Sequence, residues 1–459
     1  MTLFDALDPR PVHFVGIAGA GMSALAELLA RRGIAVTGCD ANPNRNEALD
    51  QLGISVEPRH DPAHVAGAQA VVATSAMPRD HAELVRAREL GLPVIRRAEA
   101  LAGAIELGQT ICIAGTHGKT TTTVMTTEAL AAAGRNPTGI VGGRVAAWGG
   151  NLSGGGEELF VVEADEYDRS FLALTPTVAT ITNVEADHLD IYADLDDIRG
   201  AFAEFASGAR AIVLCADDPG ASSIALTAQA VIVRYGITSP DARLVAREVR
   251  SEDGGTAFTA VCDGREDVEI RLRVPGQHNV LNALAALGSG HALGVPLAAM
   301  ASGLAAFGGV ERRFQRLGEV RGVSVVDDYA HHHTEIRATL AAARAAYPGR
   351  RIIAAFQPHL YSRTRDFAAD FGGALAAADA IYLTEIYGAR EKPIDGVGAA
   401  LIASAASDAG RPVTWRGERG ALAAALAAAT ESGDVVITIG AGDITRTGPE
   451  LLTLLGAGR

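Results

Sequence analysis

The stretch Ile111–Leu130, ICIAGTHGKTTTTVMTTEAL, constrains the fold more than any other. An apolar run with β character ends at Gly115, and Thr116-His117-Gly118-Lys119-Thr120-Thr121 then opens a segment with helical spacing. A strand, a glycine turn and a helix in that order aim backbone N–H groups and the positive end of a helix dipole at one point, which suits a phosphate. Lys119 adds a mobile cation for the outer phosphates, and the Thr120 hydroxyl is placed to bind a phosphate-bridging Mg²⁺. The usual loop would begin with glycine at position 113, which is Ile113 here, so GTHGKT is a shortened variant starting at Gly115. The strand before it and the threonines after it favour nucleotide binding over a plain Gly/Thr-rich turn.

Upstream, the apolar run VHFVG leads into IAGAGMSALAELLARRG. Gly19-Ala20-Gly21-Met22, with Ala24, fit the G-x-G-x-x-A form of a dinucleotide-type turn, and Asp40 closes the next strand. Taken alone, this turn serves a nicotinamide enzyme as well as any other diphosphate binder. Ser75 and the arginines 96 and 97 are further candidates for an anionic ligand, although surface arginines are ordinary. Downstream, strand-like runs recur at 159–164, 177–183, 211–215 and 230–235, and residues 241–274 read as small antiparallel strands. From about residue 312 a new alternation begins: VSVVDDY, a helix to Ala346, RIIAAFQ, a helix to Ala378, AIYLTEI, a helix, PVTW, an Ala-rich helix and DVVITIG. Strands alternating with helices imply mostly parallel sheets. The expected architecture is α/β in three domains: a Rossmann-like unit at 1–107, a central P-loop ATPase unit at 108–311 and a C-terminal Rossmann-like unit at 312–459.

Open α/β sheets place ligands where strands end, and several polar groups fall there. Glu163 closes LFVVE, and His188 follows a later strand in NVEADHLD. Thr120, Glu163 and His188 together make a candidate Mg²⁺ site, though imidazole is an unusual ligand for a hard ion and His188 also suits a helix cap. Asn279 and Asn282 offer the side-by-side donor and acceptor that match adenine, or begin a helix. Arg312 and Arg313 are candidates for neutralising a phosphate. Asp328 ends VSVVDD ahead of His331, His332 and His333; neighbouring side chains diverge, so one ion could hardly take all three histidines. His359 and Arg363, in FQPHLYSRT, are candidates for an amino-acid carboxylate.

Composition narrows the function classes. Hydrophobic residues at 48% and charged residues at 20% are those of a globular chain, and a formal charge of -14 argues against a general nucleic-acid binder. Four cysteines stand far apart with no CxxC spacing, so neither a disulfide framework nor a zinc site is expected from spacing; Cys39, Cys112 and Cys215 read as small buried residues. With no signal-like start and no run long enough to span a membrane, the expected setting is the cytoplasm.

Taken together, HFVGIAGAGMSALAELL, TSAMP, AGTHGKTTTT, VVEADEYD, NVEADHLDIY, PGQHNVLNALAA, ERRFQ, DDYAHHHTEI, FQPHLYSRT and GAGDI span nearly the whole chain. In their order the chain resembles the Mur ligases of bacterial cell-wall synthesis. The resemblance implies an ATP-dependent, amide-forming enzyme. Its expected substrates are UDP-N-acetylmuramate, whose lactyl carboxylate becomes an acyl phosphate, and L-alanine, whose amine attacks it. A sister ligase that attaches a recycled murein tripeptide to the same sugar nucleotide is the alternative. By the same resemblance the UDP part is held by the first domain. Gly115 to Thr121 cradle ATP, with Lys119 on its phosphates. Thr120, Glu163 and His188 serve magnesium, Asn279 and Asn282 the nucleotide, and Arg313 and Asp328 arrive with the C-terminal domain. His332 is a candidate base for the amine. No nucleic-acid or membrane partner is expected, and the chain is expected to act as a monomer or homodimer. It departs from the family pattern at Ala330, His333 and Leu360, which leaves Arg363 as the expected carboxylate anchor.

Overall fold

The computed structural model describes residues 3–41, 47–74, 77–226, 229–252, 254–264, 266–389 and 391–457. Ser75 therefore lies outside the described residues. Three sheets organise the rest. The first holds β1 (Val12–Val15), β2 (Val36–Cys39), β3 (Val56–Glu57), β4 (Ala70–Ala73) and β5 (Val94–Arg96) in the order β3-β2-β1-β4-β5, every pair parallel. A parallel sheet is covered on both faces, which is why its central strands read as unbroken apolar runs: all four residues of β1 and of β4 are buried. The chain leaves β1 toward β2 on one side and later returns to β4 on the other. That reversal opens a crevice at the carboxyl ends of the strands, where the glycine turn after β1 lies.

The second sheet contains β6 (Gln109–Ala114), β7 (Thr138–Val145), β8 (Gly150–Ser153), β9 (Leu159–Glu163), β10 (Val178–Ile181), β11 (Ala211–Cys215), β12 (Val231–Gly236), β13 (Leu244–Glu252), β14 (Gly255–Cys262) and β15 (Glu266–Leu272). Their order is β15-β14-β13-β12-β11-β10-β6-β9-β7-β8. Here β6 is parallel to both neighbours, β10 and β9, and again marks the point where the order reverses. The third sheet holds β16 (Gln315–Val320), β17 (Val323–Asp328), β18 (Ile352–Phe356), β19 (Ala380–Thr384), β20 (Trp415–Gly417) and β21 (Val435–Ile439) in the order β16-β17-β21-β18-β19-β20. Only β16 runs antiparallel in it.

By compactness the chain forms two units. One comprises Met1–Glu248, Phe258–Ile270 and Leu281–Phe307; the other comprises Val249–Ala257, Arg271–Val280 and Gly308–Arg459. In the first, a continuous apolar cluster runs from Phe14 and Leu25 through Phe160 and Phe171 to Phe202. The helix Ala20–Arg31 packs on β7 and β8, and Arg32 ties its end to Glu157 at 3.1 Å and stacks over Phe160. In the second, alternate residues of one strand feed two cores: Ile352, Ala354 and Phe356 face one cluster, Ile353 and Ala355 the other.

Most expected strands are present. The differences are at edges. The run PVTW is not itself a strand, which starts only at Trp415; the hairpin β7–β8 and the edge strand β16 have no foreseen counterpart. Edge strands face solvent on one side and carry weak alternation, as in QRLGEV. Among the described residues, no helix is long and apolar enough to cross a membrane.

Candidate active site

The loop after β6 takes a path that only glycine allows. Gly115 has φ +139, and a Cβ there would fall 2.0 Å from the Thr182 hydroxyl; Gly118, at φ +81, caps the helix Lys119–Ala132 in the left-handed region. Neighbouring strand ends hold the loop in place. The Thr116 amide donates to the Asn183 carbonyl at 3.0 Å and the His117 amide to Asn183 Oδ1 at 2.7 Å, while Thr182 Oγ1 and Asn183 Nδ2 both donate to the His117 carbonyl. The Thr116 hydroxyl accepts from the Glu185 amide at 2.9 Å. The helix is buried nearly all round, and its threonines satisfy their hydroxyls on the preceding turn: Thr123 on Lys119, Thr126 on Thr122 and Thr127 on Thr123.

Two carboxylates meet the loop. Thr120 Oγ1 donates to Glu163 Oε1 at 2.9 Å, and the other oxygen of Glu163 accepts from the Gly142 amide at 2.7 Å. Lys119 Nζ donates to the Gly115 carbonyl at 2.8 Å and to Glu166 Oε2 at 2.7 Å, with Asp165 at 3.7 Å. Burial opposes the charge on Lys119, but Glu166 and Asp165 together hold its ammonium above the usual lysine range. Glu166 is pushed up to about 7, by burial first, with Lys119 pulling the other way. Its Oε1 is buried without a hydrogen-bond partner and lies 3.8 Å from His188 Nε2. The structure thus joins Thr120 to Glu163 directly, and brings His188 to Glu166. Glu166 was read in the motif VVEADEYD but given no role; the only sequence signal is its place just past a strand end.

Asn282 Oδ1 accepts from Thr122 Oγ1 at 3.1 Å, and a Cβ on Gly118 would strike it at 2.6 Å, so this asparagine abuts the loop. Asn279 Nδ2 donates to the Pro275 carbonyl, fixing the start of the helix Gln277–Ala292.

At the first sheet, Gly19 caps the helix Ala20–Arg31 in an extended conformation, so Ala20, Gly21 and Met22 form its first turn. Asp40 Oδ2 accepts from the Ala18 amide at 3.0 Å, which braces the turn rather than leaving the carboxylate to a ribose alone. A Cβ on Gly21 would lie 3.0–3.4 Å from the Arg97 guanidinium, so Arg97 sits against this helix start, a placement the sequence left open.

In the second unit, Asp328 accepts from the Phe314 and Ala330 amides, both at 2.8 Å; burial pushes it up to about 6 although Arg313 and these amides oppose. Arg313 pairs with Glu335 at 3.2 Å and stacks over Tyr329. Arg312 is spent on the fold, donating to the Gly440 carbonyl at 2.6 Å. His278 is half-buried, and its imidazole is lowered to about 4, by desolvation first and then by Arg313. Of the three histidines only His331 turns away, toward Tyr329 and His359; against expectation, the rings of His332 and His333 lie together, with centroids 4.1 Å apart. His331 Nδ1 lies 3.1 Å from the Tyr329 carbonyl and 3.2 Å from Glu335. His332 caps the helix His333–Ala346 by accepting from the Thr334 amide at Nδ1, and His333 turns toward Phe367 and Phe371. His359 stacks on Tyr387, and Arg363 is buried in the helix Tyr361–Leu375.

Family profiles match along the chain: the Mur ligase family catalytic domain over residues 11–108, the Mur ligase middle domain over 113–290 and the Mur ligase glutamate ligase domain over 312–442. A UDP-N-acetylmuramate–L-alanine ligase of Acidothermus cellulolyticus is 46% identical over 451 residues, covering 96% of this chain and 94% of that one. One from Rubrobacter xylanophilus is also 46% identical, covering 97% and 100%. Among solved structures, the UDP-N-acetylmuramate-alanine ligase of Thermotoga maritima superposes with a TM-score of 0.82 at 28% identity, covering 98% of this chain and all of that one. A murein peptide ligase from Psychrobacter arcticus gives 0.71 at 25% identity, covering 98% and 99%. With a phosphate-type loop set between strand-end carboxylates, and with relatives of this similarity matching it from end to end, the chain belongs to the Mur ligase family.

Proposed function

We propose that the chain is an ATP-dependent ligase joining L-alanine to the lactyl carboxylate of UDP-N-acetylmuramate, giving UDP-N-acetylmuramoyl-L-alanine, ADP and phosphate. The observation that carries this reading is the GTHGKT loop, with Lys119 and Thr120 bonded to Glu166 and Glu163, in a chain similar over nearly its whole length to ligases of that name. A carboxylate is a poor acyl donor because oxide does not leave. Attack on the terminal phosphate of ATP makes an acyl phosphate, from which phosphate does leave once the amine has added.

Such a transfer needs chiefly positioning and charge neutralisation. Lys119, held as the ammonium, supplies a cation beside the loop amides of Gly115 to Thr121. The Thr120 hydroxyl, the Glu163 carboxylate and the partnerless Glu166 Oε1 are hard oxygen donors that fit Mg²⁺, with His188 beside them. When bound, that ion would neutralise phosphate charge. Asn282, against Gly118, and Asn279 are assigned to the nucleotide. The first turn Gly19-Ala20-Gly21-Met22, with Arg97 against it, supports a diphosphate site for the UDP group; Asp40 holds the turn. Arg313, Asp328, His359 and Arg363 are assigned to the alanine-handling unit.

The amine must lose a proton before it attacks. His332 spends its Nδ1 lone pair on a helix cap. His331 places Nδ1 against the Tyr329 carbonyl and Glu335, where that nitrogen donates. A carboxylate-backed imidazole of this kind is the better base, and the role is assigned to His331.

The test is mass-spectrometric detection of UDP-N-acetylmuramoyl-L-alanine from purified protein, ATP, magnesium and both substrates. Faster ATP turnover with a murein tripeptide than with L-alanine would move the assignment to the sister ligase. ATP hydrolysis with neither product would end it.

A further inference from the structure

A polar cluster at the first sheet takes no part in the site above. Glu83 opens the helix Ala82–Glu89 and is fully buried. Four imidazoles and a thiol surround it. Cys39 Sγ lies 3.1 Å from Glu83 Oε1, His64 Nδ1 lies 3.0 Å from the same oxygen, and His60 Nδ1 lies 3.1 Å from Oε2. His13 Nε2 and His81 Nδ1 each stand 3.8 Å from a Glu83 oxygen, and both nitrogens are buried without a hydrogen-bond partner. His13 is buried in the middle of the sheet, and its other ring nitrogen lies 2.9 Å from the Thr37 hydroxyl. That bond occupies Nδ1 and directs Nε2 into the cluster, as the outer contact of a metal-ligating histidine does.

The donor atoms of His13, Cys39, His64 and Glu83 all lie within 4.8 Å of one another. Tetrahedral zinc, with bonds of about 2.0–2.3 Å, spaces its ligands roughly 3.3–3.8 Å apart. Small side-chain movements therefore close the set on one ion. Two imidazoles, a thiolate and a carboxylate select a borderline-soft cation and disfavour magnesium or calcium. We infer that His13 Nε2, Cys39 Sγ, His64 Nδ1 and Glu83 form a structural site for one divalent ion of the zinc class. On binding, the Cys39 S–H bond breaks, the S–metal bond forms and the proton leaves to solvent. His60 and His81 remain as partners of the second Glu83 oxygen. The ligands come from β1, the end of β2, a 3₁₀ turn at Pro62–Val65 and a helix start, so no CxxC spacing announces them.

The ordinary explanation is a hydrogen-bonded network. Burial opposes ionisation of Glu83, yet contacts from His13, Cys39, the Asp61 amide and His64 hold it down at about 2. The two explanations differ in one respect: only a metal makes a thiolate of Cys39. The full chain, produced without a histidine tag, is to be stripped with chelator and titrated with Zn²⁺ and Co²⁺ in excess Mg²⁺. Expected are about one tightly held equivalent, release of protons on binding and a thiolate-to-cobalt absorption band in the near ultraviolet. Cys39→Ser is expected to lose the band, and Thr37→Val to weaken affinity by about 10–100-fold. Absence of stoichiometric binding, a cobalt spectrum without thiolate character, or an unchanged band in Cys39→Ser would overturn the site. The wild-type spectrum decides the question even if Cys39→Ser does not fold.

Discussion

Lys119 is held by the same groups it must partly leave. Its ammonium rests on the Gly115 carbonyl and Glu166, and a phosphate in the loop competes with both. Lys119→Ala is expected to reduce kcat by at least about 10²–10³-fold, the loss seen when one charge-stabilising donor is removed. UDP-sugar binding, measured by calorimetry, should persist; loss of both would indicate misfolding. Asp328 yields a prediction in pH. Its carboxyl titrates near 6 in the folded chain against an ordinary 3.8. Between those values the folded chain keeps a proton that the unfolded chain gives up. The stability is therefore full below about pH 4 and lost as pH rises through 6, on the order of 3 kcal/mol in all. Thermal unfolding of Asp328→Asn across that window should show a flatter pH slope than the wild type. A third test separates two histidines: His331→Asn should abolish the acidic limb of the kcat profile, where the base becomes protonated, while His332→Ala should mainly lower stability, by about 1 kcal/mol for a lost cap. Residues whose chemistry is local, such as Lys119, Thr120 and Glu163, were legible in the sequence because loop and strand end follow one another. Glu166, Arg97 and Glu83 were not, since their roles depend on partners that only the folded sheet brings near.

At the level of elements, the P-loop helix owes its position to the helix Leu297–Ala306 lying against it. A Cβ on Gly303 would come 2.4 Å from the Glu128 carbonyl, so the two backbones touch where only glycine fits. Gly303→Ala is expected to cost about 1–3 kcal/mol of stability by overpacking, read from denaturant unfolding, and to weaken ATP binding with it. The central strands were readable from sequence because double burial leaves an unbroken apolar run. The hairpin β7–β8 was not: the residues of β7, TGIVGGRV, mix glycines with exposed positions, and the ribbon is held by the pairing of β7 with β9, by the helix Ala20–Arg31 packed on it and by the Gly142 amide on Glu163. Leu360 marks another blind spot. It stands at φ +71 before the helix Tyr361–Leu375, a conformation that bulky residues seldom take and that spacing cannot foretell.

For the whole molecule, mass action links ligands to stability. Magnesium ATP at a hundred times its Kd should raise unfolding free energy by about 2.7 kcal/mol, and Lys119→Ala should erase most of that gain while UDP-sugar protection survives. The two compact units also interleave along the chain: Val249–Ala257 and Arg271–Val280 belong with Gly308–Arg459, although each lies within the span of the other unit. Arg316, for instance, donates to the Gly254 carbonyl at 2.8 Å. A fragment begun at residue 308 would lack both inserted ribbons. Gene fragments cut at that point should therefore yield an insoluble C-terminal piece, whereas co-expressed halves have a route to reassemble; residues 308–459 cannot be borrowed as a free-standing module.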